Sequence, residues 1–169
     1  MNVSEVYGDL FGRIPELVER AVEGLDPDQL THRPTPSANS VAWLVWHLTR
    51  VMDGYVADLR NEEQVWLTEG LAARFGMEPD PGESGYGHTS DDVARVRPES
   101  ADALLAYLAP VVDRVADYAG ALTPDALDRV VDERWDPPVT LGVRLVSIAD
   151  DAIQHAGQAA YLRGLILDR

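Results

Sequence analysis

Asp151 and His155 stand four residues apart in Asp151-Ala152-Ile153-Gln154-His155, inside a run whose apolar residues recur every three or four positions. On a helix this separation places the two side chains one turn apart on one face, as two ligands of a single metal ion must be. At 100° per residue, His155 falls between Ile148 and Leu162, within the stripe of Leu141, Ile148, Ala152 and Ala159, and Asp151 lies at its margin. An ionised carboxylate facing a helical interior is costly unless something offsets its lost hydration. An arginine, a histidinium or a metal ion would do so at Asp151. The blander arrangement leaves Asp151 at a wet edge, with His155 satisfied by a backbone carbonyl.

His47 is a third group of the same kind, in Trp43-Leu44-Val45-Trp46-His47-Leu48, one turn from Trp43 and Val51 at the edge of another apolar stripe. Two neighbouring tryptophans point to burial. Bundles commonly build metal sites from inward histidines and carboxylates on facing helices, and one ligand from one helix with two from another makes a facial triad with open positions. The chain has no cysteine, which excludes disulfides, thiolate zinc and a cysteine nucleophile and requires nitrogen and oxygen donors at any metal site. His32, before Arg33-Pro34, and His88, in Gly85-Tyr86-Gly87-His88-Thr89, lie in loop sequence and could approach the site, although loop histidines are more often solvated. Gln158 and Arg163 could orient a substrate, against the simpler reading of a core-edge residue and a surface charge. No separate general base stands out, so catalytic residues stay unassigned.

The elements that position these groups read as helices. Ser4 can cap a first helix whose apolar residues run from Val6 to Val22, with Pro15 kinking it or marking a late start and Gly24 as its stop. Thr31 to Asn39, with Pro34 and Pro36, reads as a loop, and Ser40 then caps a second helix through Leu59. A shorter helical stretch fits Gln64 to Phe75. From Gly76 to Arg97 the prolines and glycines predict a long loop without regular structure, read either as a lid or partner contact or as plain disorder. A third helix follows Pro98, with Pro110 predicting a bend, and a fourth starts near Thr140. A short extended segment fits Arg129 to Trp135. Leu25-Asp26-Pro27-Asp28-Gln29-Leu30 echoes Leu122-Thr123-Pro124-Asp125-Ala126-Leu127, making Ser40 and Thr140 equivalent caps in what reads as two related helix pairs.

With 169 residues, the chain reads as one domain over 1–169, long enough for a core without cross-links. A net charge of −15 opposes nucleic-acid partners, whose phosphates need a clustered positive field. All 14 basic residues are arginine, which excludes a lysine Schiff base. No leader pattern and no apolar run of membrane-spanning length is present, so the expected location is cytoplasmic, with no membrane partner.

Asn39-Ser40-Val41-Ala42-Trp43-Leu44-Val45-Trp46-His47-Leu48 together with Gln154-His155-Ala156-Gly157-Gln158 resembles the DinB-like superfamily, including its mycothiol-dependent and uncharacterised actinobacterial branches. The resemblance spans nearly the whole chain. It implies an all-α, DinB/YfiT-like four-helix bundle with a long crossover connection, often a homodimer. It also implies a metal held by one histidine of the second helix and two residues four apart on the last, positions matched by His47, Asp151 and His155. Asp151 departs from the histidine of many members, so the implied triad is mixed and suits zinc, nickel, manganese or ferrous iron alike.

Two functions follow. The resemblance implies a metal-dependent thiol S-transferase or hydrolase, with a small-molecule thiol (mycothiol as co-substrate) or an electrophile as partner. The alternative is a non-catalytic dimeric binding or stress-response module whose metal staples two helices or has been lost. Its interface could draw on Trp43, Trp46, Trp66 and Trp135, although tryptophan is commonly just core.

Overall fold

The computed structural model describes residues 1–168. Helix α1 (Val3–Gly12) begins two residues earlier than a Ser4 cap would place it. Asn2 is the cap, its side chain accepting the Glu5 N–H while the Glu5 carboxylate accepts the Asn2 N–H. Ser4 falls in the first turn and donates its hydroxyl to Asn2. At Pro15, where a kink or a late start is expected, the helix breaks at Arg13 and a new one starts. Helix α2 (Ile14–Val22) starts there with Pro15 in its first turn, where a missing N–H costs nothing.

After a short capped turn, α3 (Pro27–Thr31), and the loop that follows it, Ser40 accepts the Trp43 N–H at 3.1 Å and opens α4 (Val41–Arg60). Positions 41–50 of α4 are all buried. The chain then crosses over through α5 (Val65–Thr68), a 3-10 turn (Leu71–Phe75) and α6 (Ser90–Arg95). The last of these corrects the expectation of an irregular stretch. Thr89 and Asp92 form a capping box there, a signal overlooked beside so many glycines and prolines.

Helix α7 (Ala101–Gly120) is capped by Ser100 and runs unbroken through Pro110. A 3-10 turn (Pro124–Asp128) leads into strand β1 (Val130–Asp132), paired antiparallel with β2 (Val139–Thr140), Val130 opposite Thr140. Thr140 then caps α8 (Leu141–Leu167). The α1–α2 pair, α4, α7 and α8 are the four members of the bundle: α4 packs on α7 and α8, and so does the α1–α2 pair. The two similar segments are indeed both short helical turns ahead of a capped bundle helix.

Trp43, Trp46 and Trp66 belong to the core, which removes them from any interface; Trp135 alone of the four is exposed, at 66%. Among the described residues no helix is long and apolar enough to cross a membrane.

Candidate metal centre

Helices α4 and α8 pack so that His47, Asp151 and His155 present one ligand atom each within 4.8 Å of one another. His47 Nε2 lies 3.6 Å and His155 Nε2 3.5 Å from Asp151 Oδ1. The edges of a tetrahedron with bonds near 2.1 Å measure roughly 3.4 Å, so both histidine–aspartate separations already match those of ligands sharing an ion.

Each imidazole is held from behind. His47 Nδ1 contacts the Ser84 carbonyl at 2.5 Å, and His155 Nδ1 contacts Gln158 Oε1 at 2.8 Å. A carbonyl oxygen only accepts, so Nδ1 carries the proton on both rings and each neutral ring turns the Nε2 lone pair toward Asp151. This is the arrangement by which a metal-ligating histidine is fixed through its other nitrogen. Trp43 braces both rings, stacked on His47 at 4.6 Å and edge-on to His155 at 6.0 Å.

Two lone pairs converging on a carboxylate call for a cation or a proton. Asp151 Oδ2 is buried and, among the described residues, has no hydrogen-bond partner, a condition that a bound ion would relieve. Nitrogen, nitrogen and carboxylate oxygen are a donor set suited to a divalent ion. The residues therefore fit the metal that the sequence resemblance implies.

Without metal, a proton does part of this work. Burial opposes ionisation of Asp151, yet a proton held between its carboxylate and the Nε2 atoms of His155 and His47 favours the carboxylate and brings its pKa down to about 2. The bond to Asp151 raises that of His155, against burial. Relative to the unfolded chain, the depressed aspartate stabilises the fold above pH ~4 and that contribution is lost as pH falls toward 2. The raised histidine stabilises it below pH ~6.5 and that contribution is lost as pH climbs through its folded value. The metal-free protein is expected to be most stable between about pH 4 and 6.5. Urea midpoints across a pH series check this, and a flat profile would contradict the pairing.

One wall of the site comes from the crossover, the segment read as either lid or disorder. It is neither irregular throughout nor loose. Gly85 passes so close under α4 that a Cβ there would stand 2.8 Å from His47 Nδ1 and 3.0 Å from both Trp43 and Trp46, and its φ is +91°. Gly85→Ala is expected to cost about 1–3 kcal/mol from backbone strain alone and to displace His47. A thermal melt reads the first effect and metal affinity the second.

His88 sits behind this wall rather than in the site. Its Nδ1 accepts from Trp43 Nε1 at 3.0 Å and its Nε2 meets Glu83 at 2.6 Å, so both nitrogens are spoken for. His32 lies at the end of α3, outside the cluster. Gln158 holds His155 and thus acts through it, while Arg163 bonds the Glu23 carbonyl at the surface.

Arg50 and Asp53 are the functional pair that sequence reasoning missed. Arg50 is 1% exposed and spends all five N–H groups. Nε donates to the Glu83 carbonyl, Nη1 to Gln64 and the Tyr107 hydroxyl, and Nη2 to the carbonyls of Asp80 and Pro81. Asp53, fully buried, accepts from the Val65 and Trp66 N–H groups and from Tyr107. Residues 80–83 are thereby tied to α4, one residue before the carbonyl that holds His47. The available signal was two opposite charges three residues apart on an otherwise apolar helix.

Beside the cluster, a cleft of about 400 Å³ is lined by His47 and Asp151 together with Val51, Tyr55, Pro81 and Tyr86. A molecule held in this cleft would lie against two of the three candidate ligands.

The fold and site thus define a helical bundle with a histidine–carboxylate centre open to a cleft. A sequence profile of the mycothiol S-transferase family matches residues 11–167, and the chain belongs to that family. A solved structure of a conserved protein from Enterococcus faecalis shares 32% identity and superposes with a TM-score of 0.91, covering 100% of this chain and 99% of the other. None of the curated proteins matches the chain. Family and fold together bear out the DinB-like reading.

Proposed function

We propose that this chain binds one divalent metal ion through His47, Asp151 and His155 and transfers a low-molecular-weight thiol of the mycothiol kind to an electrophile held in the adjoining cleft. The observation that carries the reading is the pair of Nδ1-anchored imidazoles aimed at a carboxylate with a bare buried oxygen. A divalent ion there lowers the pKa of a coordinated thiol and so supplies a thiolate at neutral pH. The protein's own part is placement. Gln158 and the Ser84 carbonyl keep both imidazoles in the ligating tautomer, Trp43 limits their rotation, and Val51, Tyr55 and Pro81 narrow the cleft around the reacting groups.

The test is elemental analysis of protein purified without a metal-affinity tag, followed by an assay with mycothiol and 1-chloro-2,4-dinitrobenzene. About one metal per chain and metal-dependent loss of thiol support the proposal. Thiol consumption that persists after complete metal removal defeats it.

A specific observation favours assembly as a second part of the reading. Val143, Val146, Ile153, Tyr161 and Leu165 are exposed along one side of α8, a stripe that a second copy of the chain would cover, as in a homodimer. Sedimentation of Val146→Glu against the unaltered chain checks it. If the protein is a dimer whose melting point falls with chelator yet no thiol is consumed, the metal staples helices and the module is non-catalytic.

A further inference from the structure

We propose that the molecule occupying the metal cleft carries a carboxylate, which binds Arg144 in a second hollow beside it; this rests on the thiol-transfer reading above. The hollow encloses about 460 Å³ and shares Tyr55 and Ser147 with the metal cleft as a common wall. Its other sides include Asp132, Arg134, Trp135 and Arg144.

Arg144 is 9% exposed, yet among the described residues its one hydrogen bond runs from Nη2 to Asp132 Oδ2 at 2.8 Å. Its guanidinium lies over the Tyr55 ring, 4.1 Å from the centroid, which fixes the plane without using an N–H. Arg50 differs, since that guanidinium is more deeply withdrawn from water and has every N–H bonded. Nor is Asp132 reserved for Arg144: it takes three hydrogen bonds from Arg134, through the backbone N–H, Nε and Nη2. Two guanidinium groups share one adjacent carboxylate, and the less solvated of them has donors to spare.

Donors of a withdrawn guanidinium that line a hollow suit a planar, two-oxygen anion, which can take two parallel N–H bonds. Exposed Trp135 at the rim offers an apolar face to the body of such a ligand. Arg144 and Asp151 are seven residues apart on α8, on one face, so their Cα atoms lie about 10 Å apart along the helix. The ligand class is therefore a thiol or electrophile with a carboxylate roughly that far from its reacting atom.

The experiment titrates the cobalt-loaded full-length protein with 8-mercaptooctanoate, 8-mercaptooctanol and 3-mercaptopropionate, following the thiolate-to-cobalt absorption band. 8-Mercaptooctanoate is expected to bind at least about tenfold tighter than 8-mercaptooctanol, with no such gain for 3-mercaptopropionate, which is too short to span. Arg144→Gln is expected to erase the difference while leaving cobalt affinity unchanged. The comparison within the unaltered protein stands even if that variant fails to fold, and Arg144→Lys is expected to keep part of it. Equal affinity of the two long thiols overturns the carboxylate site alone. Absence of the band with every thiol defeats the thiol-transfer reading, and this inference with it.

Discussion

Arg50→Met is expected to lower the unfolding free energy by about 3–5 kcal/mol, because it removes one partner of a buried charge pair and leaves the other without compensation. Asp53 would keep its hydrogen bonds from Val65, Trp66 and Tyr107 but lose the cation 3.5 Å away. The carbonyls of Asp80, Pro81 and Glu83 would lose their donor together. At about 2–4 °C per kcal/mol for a chain of this size, the melting point should fall by roughly 10 °C. The consequence also reaches the site, since the freed segment leads directly to the Ser84 carbonyl that orients His47. Limited proteolysis within residues 80–88 and weaker metal binding should accompany the loss of stability. A melting point unchanged within a degree or two would show that the segment is held by something other than this guanidinium.

His155→Ala carries the largest expected effect on metal binding. Sites with four protein ligands bind zinc with apparent free energies of about 10–16 kcal/mol, so one ligand is worth about 3 kcal/mol and its loss about a hundredfold in affinity or more. The variant should fold, because His155 is only partly buried, its side chain 19% exposed. Gln158→Ala leaves the three donors in place but frees the His155 ring, for which a loss of about 10–100-fold is expected. Competition titrations with a chromogenic chelator measure both. A graded order, with His155→Ala worse than Gln158→Ala, is the signature of a ligand and the group that orients it. Equal metal content in His155→Ala and the unaltered chain would place the ion elsewhere.

Helix periodicity and caps made most of the bundle legible. Ser40 and Thr140 each open a long helix where a side-chain oxygen accepts the N–H three residues on, a local arrangement that a local pattern can reveal. The errors were local too. Asn2 and Glu5 formed the first cap instead of Ser4, and Thr89 with Asp92 opened a helix in a stretch dismissed as irregular. Around Pro15, propensity reasoning foresaw a disturbance but not its size, because a break and a kink differ in how the flanking segments pack.

The site divides along the same line. Asp151 and His155 could be paired from their spacing, since four residues on a helix is a distance fixed by backbone geometry. That His47 joins them, 104 positions earlier in the chain (151 minus 47), follows from no local rule; the family resemblance supplied it, and the packing of α4 on α8 makes the three groups meet. The tautomers of both histidines, the close passage of Gly85 and the five bonds of Arg50 belong wholly to tertiary structure. Each depends on a backbone carbonyl or side chain that the crossover brings back against α4. The four bundle helices and the residues each turns inward are legible in the sequence, because both are consequences of one helix at a time. Which inward groups face one another, and which nitrogen of each imidazole is left to bind, was decided only when the helices and the crossover packed together.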